Sequence, residues 1–233
     1  MKDVPARVND GFLISSIMER EDPCDVFISN SYKSIEEISN GTIGSSSPRR
    51  QAMIKSLGKN INVIEMRGNI NTRLKKIKNS NIDGIILAKA GLRRMEMDSL
   101  ITQNLSVESF VPSPGQGVLC IECLSQHSEI MSKIRKIVHL NTEICVSAER
   151  IFAAQMDGDC MSPIGAHATI QKDLITITGF VATADGTRYI RNKIEGNKNN
   201  YKDLSTKLSN LFIKMGSKGC LLYTSDAADD TPC

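Results

Sequence analysis

Arginine side chains recur where short apolar runs of the sequence give way to amphipathic segments. Arg49 and Arg50 follow one such turn, and Arg67 and Arg73 flank the next. The planar guanidinium group forms paired hydrogen bonds with carboxylates and phosphates. Helix N-termini at the carboxyl ends of parallel strands add free backbone amides for anions. The four arginines therefore predict a site for a ligand with several anionic groups, and they do not distinguish carboxylates from phosphates.

The first of these turns, GSSSPRR, has the sequence of a helix start. Ser47 is predicted to cap the helix, with Pro48 at its first position. Arg49 and Arg50 then oppose the helix dipole at a cost of roughly a few tenths of a kcal/mol each, so local helix stability does not explain them. The turn lacks the lysine of a phosphate-binding P-loop, and no GxGxxG follows a predicted strand, so a nucleotide site is not indicated.

A third turn carries Lys89, Arg93 and Arg94. Here an anion site and a set of solvated surface charges explain the sequence equally well.

The elements that must position these side chains follow from the hydrophobic pattern. Apolar runs alternate with amphipathic segments from about residue 40 to 95, which predicts a βαβαβα unit with a parallel sheet. The segment PSPGQG at 112–117 predicts a hinge or crossover. A strand and two helices are expected next, the second helix with a Thr142 cap. Antiparallel strands and a helix closed by Gly216 then indicate a small α+β domain.

Composition excludes several classes of protein. The 233 residues are 40% hydrophobic, enough for real cores, yet no apolar run approaches the roughly 20 residues that cross a bilayer. The N-terminus lacks the apolar stretch of a secretory signal. A net charge of +3, with no Trp, does not indicate nucleic-acid binding. Residues 220–233 lose all periodicity, and we expect them to be a non-native tail.

The seven cysteines are an odd number in a chain too long to need disulfides, which favours a reducing compartment and therefore the cytoplasm. Cys120 and Cys123 have CxxC spacing, but a strand would point their thiols to opposite faces. The three histidines are dispersed along the sequence. No metal site is predicted.

Seven segments in one order resemble a known family. They are MKDVP at the start, REDPCD at 20–25, IGSSSPRRQ at 43–51, RGNINTRL at 67–74, IILAKAGLRR at 85–94, PGQG at 114–117 and DGDCMSPIG at 157–165. Together they resemble porphobilinogen deaminases (hydroxymethylbilane synthases), in register from residue 1 to about 219.

The resemblance implies an α/β fold with two domains like type II periplasmic binding proteins and a small C-terminal α+β domain. The first domain would comprise 1–20 and 117–137, the second 21–116 and the third 138–219. The implied enzyme is a transferase of porphyrin and heme biosynthesis. It joins four porphobilinogen molecules head to tail into hydroxymethylbilane with loss of ammonia. The acetate and propionate groups of that substrate are what the arginines would bind.

The resemblance also implies a covalent dipyrromethane cofactor, held through a thioether by Cys160. Asp3 would be the catalytic carboxylate beside the pyrrole nitrogens, and Lys2 would contact an acidic substituent. The implied cofactor- and substrate-binding residues are Arg49, Arg50, Arg67, Arg73, Ser45, Ser46, Ser47, Asn69 and Gln116.

Family members begin well before KDVP, so we expect this chain to be an N-terminally truncated fragment that is inactive and poorly stable. We expect a monomer whose partner is porphobilinogen, with no nucleic acid and no membrane. Two alternatives stay open. One is a non-catalytic anion-binding module of the same fold, and the other is a phosphosugar-binding enzyme.

Overall fold

The computed structural model describes residues 1–5, 9–79, 81–156 and 162–222. The strands in these ranges are β1 (Phe12–Ile17), β2 (Asp25–Ile28), β3 (Asn40–Gly44), β4 (Asn60–Ile64), β5 (Gly84–Ala88), β6 (Gln103–Leu105), β7 (Cys120–Leu124), β8 (Ile164–Gln171), β9 (Leu174–Ala182) and β10 (Tyr189–Asn197). The helices are α1 (Pro48–Lys55), α2 (Ile70–Asn79), α3 (Lys89–Arg93), α4 (Ser128–Ile134), α5 (Leu140–Gln155), α6 (Tyr201–Lys214) and α7 (Ser217–Leu222).

A five-stranded sheet contains the arginine-bearing turns, with the strand order β4-β3-β5-β2-β6. The predicted βαβαβα alternation is confirmed, and β3 is parallel to both β4 and β5. The sheet also contains a strand from outside the predicted 40–95 unit, β2, which runs antiparallel between β5 and β6. All four residues of β2 are buried. That sequence, DVFI, suits a strand covered on both faces, and its alternation could not reveal its direction.

The carboxyl ends of β3, β4 and β5 lie at the same edge of this sheet because the three strands are parallel. The predicted cap of α1 is confirmed there: Ser47 precedes the helix, its side chain accepts from the amide of Arg50, and Pro48 is the first helical residue. The start of α2 is held similarly, since Asn69 Oδ1 accepts a hydrogen bond of 2.9 Å from the amide of Thr72. The sequence therefore places three helix starts beside one another.

The remaining strands form two antiparallel sheets. The pair β1–β7 forms one, and β8, β9 and β10 form the other, with β9 in the centre. Helices α5 and α6 pack on the three-stranded sheet, where Phe152 and Phe212 meet edge to face with ring centroids 4.9 Å apart. Cys220 of α7 is buried in the same core, so the folded chain extends to Leu222, past the predicted domain end at residue 219.

The five-stranded sheet and the three-stranded sheet share packing. Phe180 and Ala182 of β9 belong to the buried core of the five-stranded sheet. The amide of Ala166 in β8 donates to the carbonyl of Pro112 over 2.9 Å. A Cβ on Gly165 would lie 2.8 Å from the Val111 carbonyl oxygen, so only glycine permits this approach. Residues 111 and 112 thus lie directly against the C-terminal sheet.

The helix α5 begins two residues before the predicted Thr142 cap. His139 is the cap, and its Nδ1 accepts a hydrogen bond of 3.3 Å from the amide of Thr142. Thr142 is buried inside the first turn, where its hydroxyl accepts from the amide of Arg20. The cap prediction was wrong because a histidine ring can accept as a threonine hydroxyl does. In the described part of the chain, no helix is both long and apolar enough to cross a membrane.

Candidate functional site

A buried carboxylate brings the first pair of predicted arginines together. Asp25, the first residue of β2, is fully buried. Its Oδ2 accepts from Arg49 Nη2 over 2.8 Å, and its Oδ1 accepts from Arg50 Nη2 over 2.7 Å. Gln116 donates to the same Oδ1 through Nε2 over 2.9 Å. Three predicted site residues therefore converge on one residue that the sequence interpretation missed.

The Arg49 guanidinium is surrounded by protein acceptors. Its Nη1 donates to the Val111 carbonyl over 2.7 Å, and its Nε donates to Ser113 Oγ over 3.2 Å. Only 2% of Arg49 is exposed. With Asp25 on Nη2, each of its three nitrogens has a partner. Arg49 therefore ties α1 to β2 and to the loop at 111–113.

Arg50 differs, because part of its hydrogen-bonding capacity is unused. Its Nη1 donates to the Ile86 carbonyl over 3.1 Å. Within the described residues, Arg50 Nε is buried without a hydrogen-bond partner, and so is Gln116 Oε1. An unpaired buried polar group costs about 1–3 kcal/mol, so such atoms mark places where a partner is expected. A carboxylate would satisfy the Nε–H donor, which is the chemistry of an acetate or propionate group on a pyrrole.

Two further cations lie near Arg50. Burial lowers the pKa of Lys2, and repulsion by Arg50 lowers it further, while Asp3 and Asp25 act in the opposite direction. Lys2 itself is exposed to solvent. Burial and then Arg50 also lower the pKa of Arg73. Since Asp25 compensates only one of its two arginines, the region carries excess positive charge.

The segment that carries Asp3 is fixed by backbone contacts. The Met1 amino group donates to the Val118 carbonyl over 2.9 Å. Arg150 of α5 donates to the carbonyls of Val4 and Pro5 over 3.2 and 2.6 Å. Asp3 is exposed between these anchors, next to Lys2. The structure therefore places KDVP beside the loop that supplies Gln116.

The predicted serines organise the turn itself. Ser45 is buried, and its Oγ accepts from the amide of Ser47 over 3.3 Å. The Oγ of Ser46 accepts from the amide of Met66 over 3.0 Å and so joins the turns that follow β3 and β4. These three hydroxyls support the helix start at which Arg49 and Arg50 lie.

Three predicted residues, Arg67, Asn69 and Arg73, form no hydrogen bond with the Asp25 cluster in the described part of the chain. Arg67 has a side chain that is 84% exposed, and its Nε pairs with Glu65 over 2.7 Å. Asn69 is exposed and caps α2. Arg73 is turned by a hydrogen bond of 2.8 Å from its Nε to the Gly68 carbonyl. Their ligand-binding roles stay predictions.

At the third turn, acidic partners account for two of the three cations. Lys89 pairs with Asp22 over 2.7 Å, and Arg93 pairs with Glu21 over 2.7 Å. Arg94 is exposed. The surface-charge interpretation is therefore favoured at this turn.

The loop at 112–117 contacts a second buried carboxylate, which the sequence interpretation also missed. Glu149 of α5 is fully buried and holds Arg20 with two hydrogen bonds of 2.6 and 2.8 Å. It also accepts from the amides of Gly115 and Ala168 over 2.7 and 2.8 Å. Arg20 Nε in turn donates to the Gln116 carbonyl over 3.0 Å. This network joins the loop to the C-terminal sheet.

These buried carboxylates predict a loss of stability in acid. Burial alone would raise the pKa of Glu149, but the charge and hydrogen bonds of Arg20, with His167, outweigh burial and lower it to about 2. The arginines likewise lower the pKa of Asp25 despite its burial. A lowered pKa stabilises the fold above the ordinary carboxyl pKa, and this stabilisation is lost as pH falls through the folded-state value.

We therefore expect the urea midpoint of unfolding to fall steadily from about pH 5 to pH 2, with Glu149 contributing on the order of 3 kcal/mol. Urea titrations at half-unit pH intervals measure this, and the Glu149→Gln variant should show a shallower decline. A midpoint that stays constant between pH 5 and 2.5 would contradict the assignment.

Cys160 lies outside the described residues, as do Asp157 and Asp159. The described chain ends before it at Met156 and resumes at Ser162, followed directly by β8.

Comparisons with known proteins agree with these observations. The family model described as porphobilinogen deaminase, dipyrromethane cofactor binding domain, matches residues 1–132. The model for the porphobilinogen deaminase C-terminal domain matches residues 143–214. The cofactor of this family is thus dipyrromethane.

Among solved structures, partial likenesses include the methionine-binding protein MetQ, with a TM-score of 0.39 and 8% identity over 55% of this chain and 60% of that one. A TRAP solute-binding protein from Pseudomonas putida F1 has a TM-score of 0.38 and 12% identity, over 61% of this chain and 44% of that one.

Curated relatives are much more similar in sequence. The porphobilinogen deaminase of Alkaliphilus metalliredigens is 40% identical over 222 residues, which are 95% of this chain and 70% of the relative. That of Clostridium botulinum strain Kyoto is 41% identical over 215 residues, covering 92% of this chain and 73% of the relative. The chain belongs to the porphobilinogen deaminase family.

Proposed function

We propose that this chain catalyses the joining of four porphobilinogen molecules into hydroxymethylbilane with release of ammonia, a step of tetrapyrrole biosynthesis. The expectation that the chain is inactive and poorly stable stays a prediction, and the mass measurement described below decides between the two. The observation that carries the proposal is the cationic region around Arg50. The charge of Arg50 acts on both Lys2 and Arg73, and its Nε–H has no partner among the described residues. A substrate whose pyrrole ring carries two carboxylates suits such a region.

The residues present fit a dipyrromethane, because its acidic side chains need the same cations. When bound, it supplies the pyrrole carbon to which the first substrate unit is joined. We propose that the Cys160 thiol holds it through a thioether. In the sequence, Cys160 precedes Pro163 by three residues. The carbonyl of Pro163 accepts a hydrogen bond from the amide of Ala182. Ala182, like Phe180, belongs to the core of the five-stranded sheet that carries the arginines.

The roles of the remaining residues follow from their positions. Arg50, Lys2 and Arg73 would bind carboxylates directly, as the effect of the Arg50 charge on Lys2 and on Arg73 supports. The other proposed contributors to cofactor and substrate binding are Arg49, Arg67, Ser45, Ser46, Ser47, Asn69 and Gln116.

Asp3 is proposed as the catalytic carboxylate. An exposed carboxylate beside Lys2 can stabilise positive charge that develops on a pyrrole as ammonia leaves. It can also accept and return a proton from a pyrrole N–H.

We also propose a cytoplasmic monomer that binds neither nucleic acid nor membrane. We divide it into three domains, of residues 1–20 with 117–137, residues 21–116, and residues 138–219, the last extended to Leu222 because Cys220 is buried in its core. Each of these segments contains the strands of one sheet, which supports the division.

Intact-mass spectrometry tests the function. The protein is measured as purified and after incubation with porphobilinogen. We expect an added mass equal to a dipyrromethane, with further increments of one pyrrole unit when substrate is present. A non-catalytic anion-binding module would bind porphobilinogen without any covalent increment. Binding of phosphate esters in place of porphobilinogen would instead indicate a phosphosugar-binding protein, and either result would refute the proposal.

A further inference from the structure

Asp25 is the group at the site that the proposed mechanism does not use. It is fully buried, lies at the start of β2, and receives hydrogen bonds from three side chains. Two of its partners are adjacent arginines at the start of one helix, where their charges repel each other and oppose the helix dipole. Such a pair can be buried only with a compensating anion nearby.

We propose that Asp25 is a positioning residue for carboxylate binding: it fixes Arg49 as an anchor and directs Arg50 toward the acidic ligand. The inference rests on the proposed function, since it takes the ligand to be a pyrrole with carboxylate side chains.

The division of work between the arginines follows from their contacts. All three guanidinium nitrogens of Arg49 donate hydrogen bonds, to Asp25, Val111 and Ser113. The two Nη atoms of Arg50 donate hydrogen bonds to Asp25 and to the Ile86 carbonyl. Its Nε has no hydrogen-bond partner among the described residues. The charge of Arg50 also lowers the pKa of both Lys2 and Arg73. Asp25 accepts a hydrogen bond from the Nη2 of each arginine, so moving the carboxylate would reorient both guanidinium groups.

The charge balance supports the same assignment. One carboxylate between two guanidinium groups leaves one positive charge for the ligand. A second acid would cancel that charge, and no acid would leave the arginines repelling each other. Gln116 adds a neutral hydrogen bond to the same carboxylate, so the loop at 112–117 is aligned with the arginines without a change in charge.

The test compares porphobilinogen binding by titration calorimetry in four proteins: the unsubstituted chain, Asp25→Asn, Asp25→Glu and Asp22→Asn. Asp25→Asn removes the charge, while Asp25→Glu keeps the charge and displaces the carboxylate by one methylene. Asp22→Asn is the matched control, because Asp22 lies in the same segment and pairs with Lys89 but touches neither arginine. Unfolding midpoints are measured on the same samples to establish which variants are folded.

We expect the Kd for porphobilinogen to rise about tenfold or more in each folded Asp25 variant, the scale of one charge-assisted hydrogen bond. Asp22→Asn should stay within about twofold of the unsubstituted chain. Asp25→Glu separates the possible roles, since a mere counter-charge would still be present in it.

Normal affinity in Asp25→Glu would overturn the inference, and so would two unfolded Asp25 variants beside a folded Asp22→Asn, because Asp25 would then serve folding alone. An unsubstituted chain that neither binds porphobilinogen nor gains mass would instead refute the proposed function.

Discussion

Cys160→Ala is expected to abolish the dipyrromethane mass completely, because the methyl side chain offers no nucleophile for the thioether. The thiols of Cys24, Cys145 and Cys220 should not substitute for it. Burial, with nearby acidic groups, raises the pKa of Cys24 and of Cys145 to about 12 each. Burial also raises the pKa of Cys220. Since the thiolate is the reactive form, these cysteines are poor nucleophiles near neutral pH.

Cys24→Ala is the matched control for this prediction. Cys24 directly precedes Asp25, so it is a free thiol beside the arginine cluster. The control protein should keep the full added mass in the same spectrometric measurement. An increment that persists in Cys160→Ala, or that disappears in Cys24→Ala, would show that the attachment point is assigned to the wrong residue.

Glu149→Gln should have the largest effect on stability. It leaves the guanidinium of Arg20 buried without its counter-charge, and it weakens the bonds from the Gly115 and Ala168 amides. Removing one partner of a buried ion pair costs about 3–5 kcal/mol. For a chain of this size that corresponds to a fall in Tm of roughly 10 °C. Thermal and urea unfolding followed by circular dichroism measure both quantities.

Glu143→Gln provides the comparison, since Glu143 lies on the same helix and pairs with Arg135 over 2.5 Å. Arg135 is 53% exposed, and such pairs contribute less than about 1 kcal/mol. We expect its unfolding free energy to stay close to that of the unsubstituted chain. If the two variants lose the same stability, the network around Glu149 contributes no more to folding than an exposed ion pair does.

The sequence predicted those features that depend on neighbours in the chain. The cap at Ser47 and the βαβαβα alternation are confirmed, because capping and periodicity act over a few residues. The same local patterns also put Arg49 and Arg50 at a strand end. A mixed sheet was not foreseen, because the antiparallel strand β2 has no local signature of direction.

The two buried carboxylates could not be found in that way. Asp25 and Arg49 are 24 residues apart, and Arg20 and Glu149 are 129 residues apart. Nothing in single-sequence periodicity reports such pairs. One signal was available for the first of them, since an acidic residue opens the otherwise apolar run DVFI. A charge at the edge of a buried strand requires a partner, and the sequence offered Arg49 and Arg50, to which no counter-ion had been assigned.

The loop at 112–117 has a consequence for the order in which the protein forms during synthesis. The five-stranded sheet can pair all of its strands once residue 105 has left the ribosome. The Gly115 amide, however, finds Glu149 only after α5 has emerged. Domains fold as units while synthesis proceeds at about 5–20 residues per second. The hydrogen bonds among Asp25, Arg49, Arg50 and the loop can therefore form first, and the bond from the loop to Glu149 follows seconds later.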